Sequence, residues 1–130
     1  MSDDRTSVSD ETIFSLRDAI NTHDPEEVAS VFTEDYRCDM PLHPSRSFTG
    51  NSAVRATWAM MFSRIPDLRA RILRAVSDAE SALTWSEWEM TGSTANGDPI
   101  AFRGVVISTA RDGRIAATRF YLDEVVDGQV

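Results

Sequence analysis

A chain of 130 residues, 42% hydrophobic and 26% charged, has the length and composition of one globular domain and not of a disordered segment. Thirteen basic against twenty-one acidic residues leave a net charge of −8, a surface that repels nucleic acid and anionic lipid. Every basic residue is arginine, which excludes Schiff-base lysine chemistry, and the single cysteine, Cys38, excludes an intramolecular disulfide and a multi-cysteine metal site.

The N-terminus, MSDDRTSVSDE, is polar and acidic, the opposite of a signal peptide, and no apolar run approaches the roughly 18 residues of a membrane span. A cytoplasmic protein with no membrane partner is expected. Residues 1–8 read as a disordered tail, 9–126 as one domain and 127–130 as a C-terminal tail. Ser9 stands where an N-cap opens a first helix, and Ile13, Leu16, Ala19 and Ile20 form its apolar stripe. His23-Asp24-Pro25 ends it. Asp24 then caps a second helix, with Pro25 at its first position, Glu26 and Glu27 favourable to its dipole, and Val28, Val31 and Phe32 as its buried face. A short strand is predicted over 36–40 and a loop held by two prolines over 41–49. Gly50-Asn51-Ser52 opens a third helix with Val54, Trp58, Met61 and Phe62 on one face, closed by Ile65-Pro66-Asp67.

From there the period changes from 3.6 to 2. Four strand-like runs follow, at 68–77, 82–91, 100–109 and 114–126. The last two connections contain Asn96-Gly97 and Asp112-Gly113, residues that accept the positive φ of tight antiparallel hairpins. The order predicts an α+β fold: three N-terminal helices packed on a curved, mainly antiparallel sheet. The 100–109 run is apolar on both parities, with Ile100, Phe102 and Val106 on one and Val105 and Ile107 on the other. One face then meets the helices or lines a cavity, and the other needs a partner subunit, which predicts a homodimer.

These elements carry a resemblance. Val31-Phe32-Thr33-Glu34-Asp35-Tyr36, Phe48-Thr49-Gly50, Ile65-Pro66-Asp67, Trp88-Glu89-Met90-Thr91-Gly92-Ser93, Asp112-Gly113-Arg114-Ile115 and Arg119-Phe120-Tyr121-Leu122-Asp123, in that order, resemble the SnoaL-like polyketide cyclases of the nuclear transport factor 2-like superfamily. The resemblance implies a cone with a central pocket for a small hydrophobic molecule, a homodimer, and acid/base chemistry without metal or organic cofactor. It also implies an Asp near the end of the last strand as general base, and Asp123 is the matching position. Two better-defined relatives fit less well. The ketosteroid isomerases place their base before the proline where Met40 stands, and their helix tyrosine has no counterpart in residues 9–23. The limonene epoxide hydrolases place Arg-x-Asp where Trp85-x-Glu87 stands.

By the period of two, Arg119, Tyr121 and Asp123 share a strand face. If that face looks into the cavity, Asp123 is a carboxylate in an apolar site with a raised pKa, and Arg119 or Tyr121 supplies the hydrogen bond to an enolate oxygen. Otherwise Arg119 and Asp123 form a surface ion pair. Trp85 and Glu87 share a face of the neighbouring strand, so Glu87 is either a second catalytic carboxylate or exposed at an edge. Trp58 and Trp85 are candidate pocket walls, while Asp39 and His43 flank Met40-Pro41-Leu42 at the expected mouth. Cys38 reads as a packed thiol, and the two histidines are too scattered for a metal site. The rival readings are a non-catalytic binding module of the same fold and a dimerisation domain whose cavity Trp58, Trp85 and Trp88 pack shut.

Overall fold

The computed structural model describes residues 4–126, with side chains from residue 11 onward. Helices α1 (Asp4–Thr22) and α2 (Pro25–Ala29) come first, then β1 (Phe32–Asp39), a 3-10 turn (Pro44–Arg46), β2 (Phe48–Thr49) and α3 (Asn51–Arg64). The remainder is β3 (Arg69–Asp78), β4 (Leu83–Ser93), β5 (Pro99–Arg111), β6 (Arg114–Phe120) and β7 (Asp123–Glu124). No helix among the described residues is long and apolar enough to cross a membrane.

The expected elements are present, with three corrections. Helix α1 begins at Asp4 and not at Ser9, because neither glycine nor proline interrupts residues 4–22. The expected tail therefore starts as helix from residue 4; residues 1–3 and 127–130 lie outside the described residues. Second, Val31 and Phe32 do not belong to α2. That helix is a single turn, capped by Asp24, whose carboxylate accepts the Glu26 N–H at 2.9 Å, and the β-favouring run Val31-Phe32-Thr33 turns the chain extended. The Asn51 side-chain amide donates to the Ala29 and Phe32 carbonyls at 2.7 and 3.2 Å, which satisfies the groups freed there.

All strands join one curved, open sheet in the order β2-β1-β6-β5-β4-β3, with β7 pairing β5 beyond the end of β6. Only β1 and β6 run parallel. The two-residue Asp112-Gly113 turn has φ of 55° and 79°, the positive pair that matches the twist of the flanking strands. The helices lie on one face. There α1 buries Ile13, Leu16 and Ile20, and Asn21 fixes its end to β3 by donating to the Ala70 carbonyl and accepting the Ala70 N–H, at 3.0 and 2.7 Å. Trp88 is buried on this face. Its indole N–H donates to Ser86 Oγ at 2.8 Å, and Ser86 donates onward to the Val106 carbonyl, so no polar atom of the indole is left unpaired.

The third correction concerns the last strand. The predicted run over 114–126 is interrupted at Tyr121 and Leu122, between β6 and β7, where the chain passes directly against Gly104 of β5. Gly104 has φ of +156°, and a Cβ there would overlap the Tyr121 carbonyl oxygen and sit 2.7 Å from Leu122 Cα. Both obstacles are backbone, so neither can rotate away.

Gly104→Ala is therefore expected to destabilise the fold by about 2–3 kcal/mol, read as a lowered urea midpoint at unchanged slope. Gly113→Ala, with open space around it but a positive φ, should cost only about 1 kcal/mol. Equal losses for the two would mean that backbone conformation alone, and not the crossing, sets the requirement at Gly104.

Candidate functional site

Between the sheet and helices α1 and α3 lies a cavity of about 170 Å³. That is room for on the order of ten waters, far more than a packing defect. Its walls follow the strand alternation: Tyr36 and Cys38 from β1, Trp88 and Met90 from β4, Phe102 from β5, Thr118 and Phe120 from β6. Leu16 and Ile20 of α1, and Val54, Trp58 and Met61 of α3, close the other side. The lining is overwhelmingly apolar. Its charged residues are Asp123 and Arg46, and a small cluster of hydroxyl and thiol groups interrupts it on β1 and β6.

Asp123 borders the cavity at its rim, although the pairing with β5 keeps one register across the crossing, Phe120 opposite Val106 and Asp123 opposite Arg103. That register leaves Asp123 on the parity of Arg119 and Tyr121, and it meets the mouth of the cavity where the loop carrying His43 and Arg46 comes up to it. Its carboxyl group is 46% exposed, at the rim. Oδ1 accepts the Glu124 N–H at 2.9 Å and Oδ2 accepts His43 Nε2 at 3.1 Å. The Glu124 N–H first, then His43, hold its pKa below the usual carboxylate range; these outweigh the small effect of burial. The raised pKa expected from an apolar setting is thus corrected. At neutral pH Asp123 is ionised, and His43 reaches it from the loop that follows β1.

The opposite end of the chemistry is dry. Tyr36 is 3% exposed, and its hydroxyl lies 2.7 Å from Thr118 Oγ1, also buried. Burial pushes the Tyr36 phenol well up, so it stays neutral. Burial also raises the Cys38 thiol, against the pull of the neighbouring Tyr36 and Thr118 hydroxyls.

The other strand candidates part company with the cavity. Arg119 and Tyr121 lie on the outer sheet face, where Arg119 donates to the Tyr121 hydroxyl at 3.0 Å and to Asp39 at 3.1 Å. Neither therefore faces the cavity. Asp39 follows them outward because it alternates with Cys38. Glu87 sits on the same outer face, paired with Arg74 at 3.2 Å, and Trp85 beside it is 49% exposed. The structure thus brings Asp123, His43 and Trp58 to the cavity or its rim and leaves Asp39, Trp85, Glu87, Arg119 and Tyr121 outside it. Sequence reasoning passed over Tyr36, Thr118 and Arg46 as site residues. A signal existed for Tyr36: it alternates with Arg37 and Asp39, so charged residues mark the outer face of β1 and leave Tyr36 and Cys38 inside. Trp88 lines the cavity without filling it, and Trp85 points away, so the tryptophans do not pack the cavity shut. Among the described residues no three of His, Cys, Asp and Glu group as metal ligands.

Residues 15–118 match the family described as SnoaL-like domain. No curated protein matches the sequence. Among solved structures, a Bacillus subtilis protein described as a proposed isomerase is similar at TM-score 0.81 and 19% identity, covering 95% of this chain and 90% of its own. A proposed SnoaL-like polyketide cyclase from a Jannaschia species is similar at TM-score 0.75 and 17% identity, covering 91% and 87%. A Catenulispora acidiphila protein with a ketosteroid isomerase-like fold, in complex with trimethylamine, is similar at TM-score 0.75 and 16% identity, covering 85% of each chain. At these identities the likeness is one of fold.

The depressed Asp123 pKa has a testable origin and sign. A carboxylate whose folded pKa lies below its unfolded value, about 3.9, adds stability above that value and loses it as pH falls through the folded pKa. His43→Gln should raise the Asp123 pKa part of the way back, the Glu124 N–H retaining the rest, in a carboxyl ¹³C NMR titration. An unchanged titration would remove His43 as a partner.

Proposed function

The chain belongs to the SnoaL-like domain family, and on that premise we propose that it is a cofactor-independent acid/base enzyme, a cyclase or isomerase of a hydrophobic, polyketide- or steroid-like small molecule. The observation that carries this reading is the composition of the cavity: apolar walls with one carboxylate, Asp123, held ionised at the rim. The complex of the Catenulispora protein with trimethylamine supports small-molecule binding by this fold. On this reading the cavity is the interior of the expected cone.

In the proposed step Asp123 Oδ2 takes a proton from carbon beside a carbonyl. The C–H electron pair moves into the carbon framework and the carbonyl becomes an enolate. The proton returns at another carbon in an isomerisation, or the enolate carbon attacks a second carbonyl and the resulting alkoxide is protonated in a cyclisation. His43 holds Oδ2 in place at the rim by its 3.1 Å contact. A carboxylate with a lowered pKa is a weak base, so the reading favours substrates whose C–H is already acidified by two carbonyls or by a carbonyl and an aromatic ring. Poly-β-ketones have that chemistry.

We also propose that the outer sheet face seats a second copy of the chain. Val76, Trp85 and Ile107 stand side by side across β3, β4 and β5, next to Leu83, and Val76 and Trp85 are 64% and 49% exposed. Charged residues rim this row: Arg74 with Glu87 on one side, Arg119 with Asp39 on the other. An apolar centre inside a polar rim is the anatomy of an interface.

Two experiments test these readings. In D₂O the protein should accelerate α-proton exchange of 2-tetralone, followed by NMR, and Asp123→Asn should slow it by roughly 10²-fold or more while leaving affinity within about threefold. Binding without acceleration would establish the non-catalytic alternative. For assembly, sedimentation at tens of micromolar should give a dimer mass, and Trp85→Glu should give monomer with an unchanged circular dichroism spectrum. A native monomer at that concentration would end the proposal.

A further inference from the structure

The polar groups of the cavity are not spread evenly, and their distribution bears on which end of a substrate goes in first. All charge lies at the rim, on Asp123 with its His43 partner and on Arg46. The rest of the lining is neutral; apart from the half-buried Thr57 of α3, its hydroxyl and thiol groups converge from two parallel strands: Tyr36 and Cys38 of β1, Thr118 of β6. Thr118 pairs in register with Cys38, which places the three groups on one small patch.

Donor arithmetic leaves this patch one hydroxyl hydrogen that, within the wall, only the Cys38 sulfur takes up. In the 2.7 Å contact between Tyr36 Oη and Thr118 Oγ1 one hydroxyl donates and the other accepts. The hydroxyl that accepts still has its own hydrogen, and no backbone carbonyl or carboxylate among the described residues takes it up from either side chain. Its available acceptors are the Cys38 sulfur, a poor one, or an atom in the cavity. A buried hydroxyl hydrogen held only by a thiol sulfur is weakly satisfied, and a ligand oxygen is the better acceptor. Tyr36 is also positioned tightly. Its ring packs between Phe32 and Phe48, at centroid distances of 4.3 and 6.0 Å, so the hydroxyl cannot swing to solvent.

We infer that Tyr36 and Thr118 form an oxygen-binding subsite, and that the substrate enters with a carbonyl oxygen leading, its acidic C–H left nearer the rim. The inference rests on reading the cavity as the substrate site and deepens it by naming the functional group the buried wall selects. Neutral donors suit such a subsite because they stabilise a carbonyl or enolate oxygen without placing a charge in the apolar interior beforehand. The roles that Arg119 and Tyr121 were expected to fill pass to residues on the other sheet face.

The test is an equilibrium comparison of 2-tetralone with tetralin, the same bicycle without the oxygen, by calorimetry on the full chain. Wild type should prefer the ketone over the hydrocarbon, after correction for their water-to-octanol transfer, by about three- to tenfold. Tyr36→Phe and Thr118→Val are near-isosteric, and the pair should abolish that preference while leaving tetralin affinity unchanged. The infrared carbonyl stretch of bound 2-tetralone should fall to lower wavenumber in wild type and return toward its apolar-solvent value in the double variant. A corrected preference of one in wild type, or a preference and a stretch unmoved by the double variant, overturns the subsite while leaving the apolar cavity and the Asp123 proposal standing. Failure of both compounds to bind wild type overturns the cavity reading and the subsite with it. Because binding is measured without turnover, loss of the exchange activity of Asp123 has no bearing on this result.

Discussion

The close passage of Tyr121 and Leu122 over Gly104 governs how this sheet relates to its interior. A side chain at Gly104 would collide with backbone, so the end of the last strand can lie against β5 only because that position has none. The passage leaves two residues between β6 and β7 outside regular strand. Beyond it the pairing with β5 continues in the same register, Asp123 opposite Arg103, and Asp123 meets the His43 loop at the cavity rim. The absent side chain at Gly104 thus lets the chain run on in register to the rim, where Asp123 and His43 meet.

From that point the two faces of the sheet can be understood as opposite solutions to the same problem. The inner face is apolar, and its buried polar groups are hydrogen-bonded within the wall, as with Trp88, Ser86 and the Val106 carbonyl. The outer face carries the charges in cross-strand pairs: Glu89 between Arg71 and Arg103, Glu87 with Arg74, Asp39 with Arg119. Such exposed pairs add little stability. Their effect is to keep charge at the margins of the outer face and leave Val76, Trp85 and Ile107 together between them. An all-arginine basic set suits this arrangement, since the guanidinium can bridge two partners at once, as Arg119 does with Tyr121 and Asp39.

Much of this was legible in the amino-acid sequence. Asp24-Pro25 announced α2, Asp112-Gly113 announced the β5–β6 hairpin, and the switch from a period of 3.6 to 2 announced the strands after α3. These signals are local or strictly periodic, and local chemistry decides them. What failed had non-local causes. Alternation assigned Asp123 to the parity of Tyr121 and said nothing of the rim position at which it meets the cavity. Likewise nothing around His43 indicates that the loop after β1 comes to lie beside Asp123, eighty residues later. Trp85 and Glu87 were plausible site residues until the register placed them opposite Val105 and Ile107, on the outer face. Tyr36 was readable by the same alternation that places Arg37 and Asp39 outside, but an aromatic on a strand is usually core, and its value here depends on a cavity existing beside it.

The distribution of charge along the cavity follows from desolvation. A carboxylate placed where Tyr36 stands would be driven neutral by burial, and an arginine there would lack a counter-ion. At the rim the same carboxylate keeps part of its hydration and gains the Glu124 N–H and His43, so it stays ionised. Hydroxyls reverse the preference: exposed to water they discriminate nothing, while buried beside one another they retain a directional donor that a fitting oxygen satisfies better than a thiol sulfur. An ionised base at the wet end and neutral donors at the dry end are therefore the only stable order of these groups in a cavity closed on one side. That order sets a direction for any ligand with one polar oxygen and one acidic C–H. On the proposed reading the oxygen goes inward and the acidic C–H stays at the rim, within reach of Asp123.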